Sequence, residues 1–225
     1  VRFTVVDDPG APELKRAFIT ALCAGKDGSM WIGCDSKGVL RYKNGAFSRL
    51  TEVDGLPSNQ VHCLLEDREG NLWIGFEGCL TRYRNGQLTT FTDMQGLGDN
   101  PVRDICQDRN GVIRVATRRG LSSLNKNRII STITFGTNWT ANALRCVCED
   151  RQGALWTGSN EGLTCLQGAR RRFYGIEDGI PAGIINSAFE DHAGQLWIGA
   201  YGGLTRMVNG KLVARPPGEP VFWDL

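Results

Sequence analysis

The sequence has little of what several classes of function need. Only two histidines and three methionines stand among its 225 residues. No apolar run approaches the roughly 18 to 20 residues that cross a bilayer as a helix, so no membrane contact is expected within this chain. The first residues, from Val1, show no basic stretch followed by an apolar one, and no leader is predicted there. Charge of one sign is missing too: 26 Lys and Arg against 24 Asp and Glu leave a formal charge of +2. That balance argues against a nucleic-acid binder and leaves room only for local patches. His62 and His192 sit in unlike contexts, and no Ser-His-Asp set, His/Cys metal spacing or phosphate-binding glycine loop can be assembled. The chain therefore reads as non-catalytic, with no cofactor and no metal.

What the chain does have is one phrase, repeated five times. The copies are KDGSMWIG (Lys26 to Gly33), REGNLWIG (Arg68 to Gly75), RNGVIRVA (Arg109 to Ala116), RQGALWTG (Arg151 to Gly158) and HAGQLWIG (His192 to Gly199). Anchored on Trp31, Trp73, Arg114, Trp156 and Trp197, the spacings are 42, 41, 42 and 41 residues. A period this constant marks a repeat architecture.

The second repeat shows its grammar. Val61 to Glu66 is an apolar strand, Asp67 to Gly70 a turn, Leu72 to Phe76 a second strand and Leu80 to Tyr83 a third. Asn85-Gly86 is a hairpin signal leading into a Thr-rich strand, Leu88 to Phe91. Four strands per period of about 42 residues predict an all-β fold, a β-propeller of five four-stranded antiparallel blades forming one domain over residues 1–225. The alternative is a five-blade portion of a larger, seven-bladed propeller. Gly55-Leu56-Pro57, Gly96-Leu97-Gly98 and Gly179-Ile180-Pro181 punctuate the blades. Phe3 to Val6 and Lys211 to Arg215 both read as outermost strands, one more than five blades need.

The repeated Trp31, Trp73, Trp156 and Trp197 are expected to fill the gaps between neighbouring sheets. Asp67, Asp108, Asp150 and Asp191 each precede a Gly by three residues and read as turn residues. Blade three departs from the pattern with Arg114 in place of Trp, inside a basic sector of Arg103, Arg109, Arg114, Arg118, Arg119, Lys126 and Arg128. Arg114 either packs its stem between blades or helps take an anionic ligand; Arg170, Arg171 and Arg172 either add to that sector or lie on an outer strand.

Written out, the repeat from Asn59 to Leu97, with Glu-Asp-x-x-Gly-x-Leu-Trp-x-Gly followed by Gly-Leu and Asn-Gly, resembles the two component regulator propeller repeat. The likeness runs from about Ile19 to Leu212. It implies the extracytoplasmic or periplasmic sensor region of a bacterial hybrid histidine kinase, a ligand, and adjoining signalling domains or a partner protein that reads the signal. The Gly-x-x-Trp turn is also superficially similar to the sialidase Asp-box, but the Asp stands six residues before Trp rather than five.

Eleven residues before each anchor stand Thr20, His62, Arg103, Arg145 and Asn186, polar residues in otherwise apolar innermost strands. In a propeller such positions ring the central axis. Loops between second and third strands are expected on the same face, carrying Asp35 to Lys37, Glu77, Arg118 with Arg119, Asn160 with Glu161, and Tyr201. The ligand-binding set is therefore His62, Arg103, Arg145, Asn186, Arg118 and Tyr201, with Trp139 in an irregular loop as a further stacking surface. A small molecule or oligosaccharide, anionic by the arginines, is the expected ligand. A protein-interaction platform is the alternative, and a propeller lyase or hydrolase a third reading.

The eight cysteines bear on the compartment. Cys23, Cys106 and Cys148 replace core apolar residues eight positions before the anchor, and Cys63 and Cys146 lie two residues earlier on the same strand face. Buried free thiols are expected, with disulfides the alternative. So many thiols fit an oxidising compartment poorly, and a cytoplasmic location remains the counterpart to the periplasmic one.

Overall fold

The alternating apolar strands of each repeat zip into a sheet of their own. A computed structural model describes residues 14, 16–98, 101–136, 139–181, 183–208 and 210–214. Blade one comprises β1 (Ile19–Ala24), β2 (Met30–Cys34), β3 (Val39–Lys43) and β4 (Ala46–Leu50). Blade two comprises β5 (Cys63–Glu66), β6 (Leu72–Gly75), β7 (Leu80–Arg84) and β8 (Gln87–Phe91). Blade three has β9 (Val102–Gln107), β10 (Ile113–Thr117), β11 (Gly120–Asn125) and β12 (Arg128–Ile133). Blade four has β13 (Leu144–Glu149), β14 (Leu155–Ser159), β15 (Leu163–Gln167) and β16 (Arg170–Tyr174). Blade five has β17 (Ile185–Glu190), β18 (Leu196–Ala200), β19 (Gly203–Val208) and β20 (Lys211–Ala214). Each sheet is a four-stranded meander in chain order, the expected propeller blade. The strand expected over Phe3 to Val6 lies outside the described residues, and the loop expected to be irregular around Trp139 holds a single helical turn, Trp139–Asn142.

By its contacts the chain forms two compact units, residues 1–77 with 81–89, and 78–80 with 90–225. In the first, Ile32, Cys34 and Leu40 form a core with Phe47 and Ala17 packed on it. In the second, Trp156, Leu163, Tyr174, Ile180, Ile185 and Ile198 join blades four and five, and Ala116, Leu121, Leu144 and Val147 join blades three and four.

Local chemistry explains the punctuation. Asn44-Gly45 and Asn85-Gly86 both take positive φ (51° with 83°, 49° with 82°), the backbone of a tight two-residue hairpin. Three of the four crossovers make one 3-10 turn, Glu52–Asp54, Asp93–Gln95 and Ile176–Asp178. Each ends on a left-handed glycine, Gly55, Gly96 or Gly179, and then buries the next residue, Leu56, Leu97 or Ile180. The second Gly of the phrase has a packing role. A Cβ on Gly33 would stand 2.7 Å from Val61 Cγ1, and one on Gly158 2.5 Å from Ile185 Cγ2, so the next blade's innermost strand sits directly against this backbone.

A carboxylate latch joins successive blades. Glu66 accepts the Lys26 backbone N–H at 3.0 Å, Glu149 that of Arg109 at 2.7 Å, and Glu190 that of Arg151 at 2.7 Å. Arg109 adds Nε to Glu149 at 3.1 Å and Nη2 to the Asp150 carbonyl at 2.9 Å. Charge-assisted bonds of this kind fix the stagger of neighbouring turns.

All eight cysteines are free thiols, four of them buried and four half-buried. Burial pushes the Cys106 and Cys146 thiols well up and that of Cys148 up to about 12, which keeps them protonated and inert as nucleophiles.

Candidate functional site

The repeat Asp does more than make a turn. Asp67 accepts the Glu69 and Asn71 backbone N–H groups at 3.0 and 2.8 Å through Oδ1, and the Trp73 indole N–H at 2.7 Å through Oδ2. Asp150 holds Trp156 at 2.7 Å, and Asp191 holds Trp197 at 2.8 Å, in the same way. The bond from Trp197 is the main cause holding the Asp191 carboxyl below its ordinary range. In blade three, Asp108 takes Arg114 Nε at 3.0 Å and Nη2 at 2.8 Å, while Arg114 Nη1 donates to Ser123 Oγ at 2.6 Å. Arg114 is thus committed to an internal ion pair, with Asp108 only 2% exposed, and the anion-site reading of that residue falls away.

Blade one breaks the rule, because Gly25 stands where the others have Asp. Its Trp31 donates instead to Glu66 Oε2 of blade two, at 2.9 Å.

The polar position eleven residues before the anchor is a β-bulge. Along β13, Leu144 faces Ser159 and Cys146 faces Gly158, leaving Arg145 as the extra residue. Asn186 is extra in β17, Arg103 in β9 and Thr20 in β1, each at a shift in register against the next strand. His62 precedes β5 and its backbone N–H bonds the Gly75 carbonyl at 2.8 Å. A bulge releases a side chain from the strict in-and-out alternation and re-aims it. This recurrent device, hidden in the pairing register, sets the candidate residues apart.

In the second unit the bulge residues meet. Arg145 Nε donates to Asn160 Oδ1 at 2.7 Å, and its Nη1 to Asn186 Oδ1 at 3.3 Å. Burial first, and then the charge of Arg103, lower the Arg145 pKa. Two guanidiniums thus share a neighbourhood in which one is pinned by neutral amide oxygens, and among the described residues no carboxylate is bonded to either. Such a pair is unfavourable alone and favours an arriving anion. Arg118 is exposed in the turn between β10 and β11, and Tyr201, 68% exposed, in the turn between β18 and β19. Asn160 is the residue that sequence reasoning placed on the loop but left out of the binding set.

Arg171 and Arg172 do not join this group. Arg171 donates to the Phe135 carbonyl and stacks over its ring at 4.7 Å, and Arg172 stacks over Tyr174 at 4.5 Å. In the first unit Thr20 Oγ1 donates to the Val61 carbonyl at 2.7 Å, a bond between blades one and two. Asp104, next to Arg103, accepts the backbone N–H groups of Val147 and Ile105, both at 2.8 Å, and burial raises its pKa to about 6. No group of His, Cys, Asp or Glu among the described residues is placed to hold a metal, and no described helix is long and apolar enough to cross a membrane.

The two component regulator propeller model matches the chain three times, at residues 13–36, 55–78 and 179–202. Among solved structures, the extracellular domain of a hybrid two component system from B. thetaiotaomicron superposes with a TM-score of 0.75 at 24% identity; the match takes in 91% of this chain and 29% of that one. An inactive virginiamycin B lyase from Staphylococcus aureus, crystallised with Quinupristin, gives 0.76 at 14% identity, over 91% of this chain and 71% of the lyase. A gluconolactonase from Xanthomonas campestris gives 0.62 at 14% identity, over 84% and 71%. These likenesses show the propeller fold, in company that includes both the extracellular domain of a two component system and enzymes. No curated relative matches the sequence.

Proposed function

We propose that this chain, three stretches of which match the two component regulator propeller model, is a ligand-sensing module that binds an anionic small molecule or oligosaccharide without transforming it. The site is the row of bulge residues Arg103, Arg145 and Asn186 of the second unit, with Asn160 holding Arg145 and with Arg118 and Tyr201 as further contacts. The observation that carries this reading is the Arg145 guanidinium, half-buried, held by two amide oxygens and repelled by Arg103. A carboxylate bridging the two arginines relieves that repulsion. Binding changes the contact with an adjoining signalling domain or partner protein, in an extracytoplasmic setting like that of the extracellular domain it superposes on.

Thermal unfolding against a panel of neutral and acidic oligosaccharides tests this. A ligand that binds only the folded chain stabilises it by about 2.7 kcal/mol at 100 times its dissociation constant. An acidic member is expected to raise Tm in the natural chain and not in Arg103→Ala. Equal shifts in both proteins would refute the site.

A second reading, a protein-interaction platform, draws on the crossover turns. In the second unit Met94 and Ile176 project from two 3-10 turns at 89% and 67% exposure, apolar tips turned to solvent. Partner capture lost in Met94→Ser and Ile176→Ser, with no ligand response, favours it.

A further inference from the structure

The missing Asp of blade one leaves a second feature in the first unit. Between the turns of blades one and two lies a cleft of about 480 Å³, lined among others by Trp31, Arg41, Lys26, Tyr83 and Arg84. It opens among the β1–β2, β5–β6 and β7–β8 turns, not at the bulge positions. One wall is aromatic: Trp31 and Tyr83 meet edge to face, with centroids 6.3 Å apart.

The cleft's charges are unevenly used. Lys26, Arg41, Arg68 and Arg84 line it against Asp27, Glu66 and Glu69. Both Glu66 oxygens are taken, Oε1 by the Lys26 backbone N–H and Oε2 by the Trp31 indole. Asp27 is bound by both Arg41 and Lys43, and the Lys43 bond is the first cause holding its carboxyl far below the ordinary range. Glu69 also has a partner within the chain. Lys26 Nζ donates to the Arg68 carbonyl, a neutral acceptor that leaves its charge in place, and Arg68 also has a partner within the chain. Arg41 lies over the Trp31 ring at 4.9 Å, its buried Nε has no acceptor among the described residues, and Arg84 is exposed at the rim. The carboxylates are all engaged, whereas among the described residues Lys26 Nζ is held only by a neutral carbonyl, Arg41 Nε lacks an acceptor and Arg84 is exposed, so the cleft is short of negative charge beside a flat apolar wall.

We propose that this cleft is a binding site, separate from the bulge-residue site, for a small organic anion with a planar ring. The ring lies against Tyr83, and the anionic group meets Arg84 and Lys26. Cation and aromatic face together select this chemistry over a bare inorganic anion.

The test is a titration of the whole 225-residue chain with 4-hydroxybenzoate and, in parallel, inorganic phosphate, read by the indole N–H resonance of Trp31, which Trp31→Phe identifies. Saturable movement of that resonance by 4-hydroxybenzoate is expected, with affinity reduced about tenfold in Arg84→Glu and in Lys26→Glu and unchanged in Arg145→Ala. Both rim variants alter exposed side chains, and an unchanged Tm confirms that they fold. No saturable movement, or binding lost in Arg145→Ala and kept in Arg84→Glu, would overturn the site. Phosphate binding as tightly as the aromatic acid would overturn the ring's part in it.

Discussion

Blades one and four solve the same two problems with different atoms. A nearly buried indole N–H needs an acceptor; blade four supplies Asp150 from its own turn, whereas blade one, with Gly25, borrows Glu66 from its neighbour. The bulge residue needs an occupation as well. Thr20 gives its hydroxyl to the Val61 carbonyl, while Arg145 is held by amides and left with an unneutralised charge. Blade one is thus spent on structure and depends on blade two, and blade four keeps a cation in reserve. A repeat can hold its geometry constant while varying, from copy to copy, the charge its bulge residue carries.

The comparison breaks most severely at the turn carboxylate. Asp108→Ala strands the partly buried Arg114 guanidinium and is expected to cost about 3 to 4 kcal/mol in urea unfolding, since removing one partner of a buried pair leaves the other unpaired. A loss below about 1 kcal/mol would mean that the ion pair does not hold the blade.

Next comes the carboxyl beside Arg103. Burial raises the folded pKa of Asp104 to about 6, above the unfolded value of about 3.9, so the folded state favours the proton. Its stabilising contribution is full below about pH 4 and is lost as pH rises through about 6. Asp104→Asn is therefore expected to gain on the natural chain across that window, by on the order of 2 kcal/mol. Parallel stability profiles for the two proteins from pH 4 to 7 would contradict this.

Restoring the missing Asp sharpens the contrast between blades. A Cβ at Gly25 would stand 2.3 Å from Ser29 Oγ, a buried hydroxyl with no hydrogen-bond partner among the described residues. Gly25→Asp alone is expected to cost about 1 to 2 kcal/mol by overpacking. Gly25→Asp with Ser29→Ala is expected to recover most of it, and a double-mutant cycle by thermal melts measures the coupling.

The smallest stability effect falls on the functional side. Arg145→Thr, which gives blade four the bulge residue of blade one, is expected to change stability by about 0.5 kcal/mol or less, because it removes a repulsion along with two hydrogen bonds. It is nevertheless expected to abolish the response to an acidic ligand. A stability loss above about 2 kcal/mol would mark Arg145 as structural instead.

Much of this was legible in the chain. The period around Trp31, Trp73, Arg114, Trp156 and Trp197 specifies the blades, because strand alternation and turn glycines are local. The polar position at Thr20, His62, Arg103, Arg145 and Asn186 was visible as an alignment column. That four of the five, Thr20, Arg103, Arg145 and Asn186, are bulge residues was not, since register depends on the facing strand and leaves no mark on β13 or β17 alone. The six-residue step from Asp to Trp was present in the sequence as a turn, and its indole bond appears only when the turn closes. Arg114 read as one of many cations until Asp108 and Ser123 closed around it. The cleft of the first unit had a single trace, the Gly at position 25 where four repeats have Asp.

The most direct measurement of the sensor reading is the side-chain Nε–H spectrum of Arg103 and Arg145 during titration with an acidic oligosaccharide that raises Tm. The account requires both resonances to move together and saturate at one dissociation constant, with neither the movement nor the Tm shift surviving in Arg145→Thr. Saturable binding that leaves both resonances still would place the ligand elsewhere and contradict it.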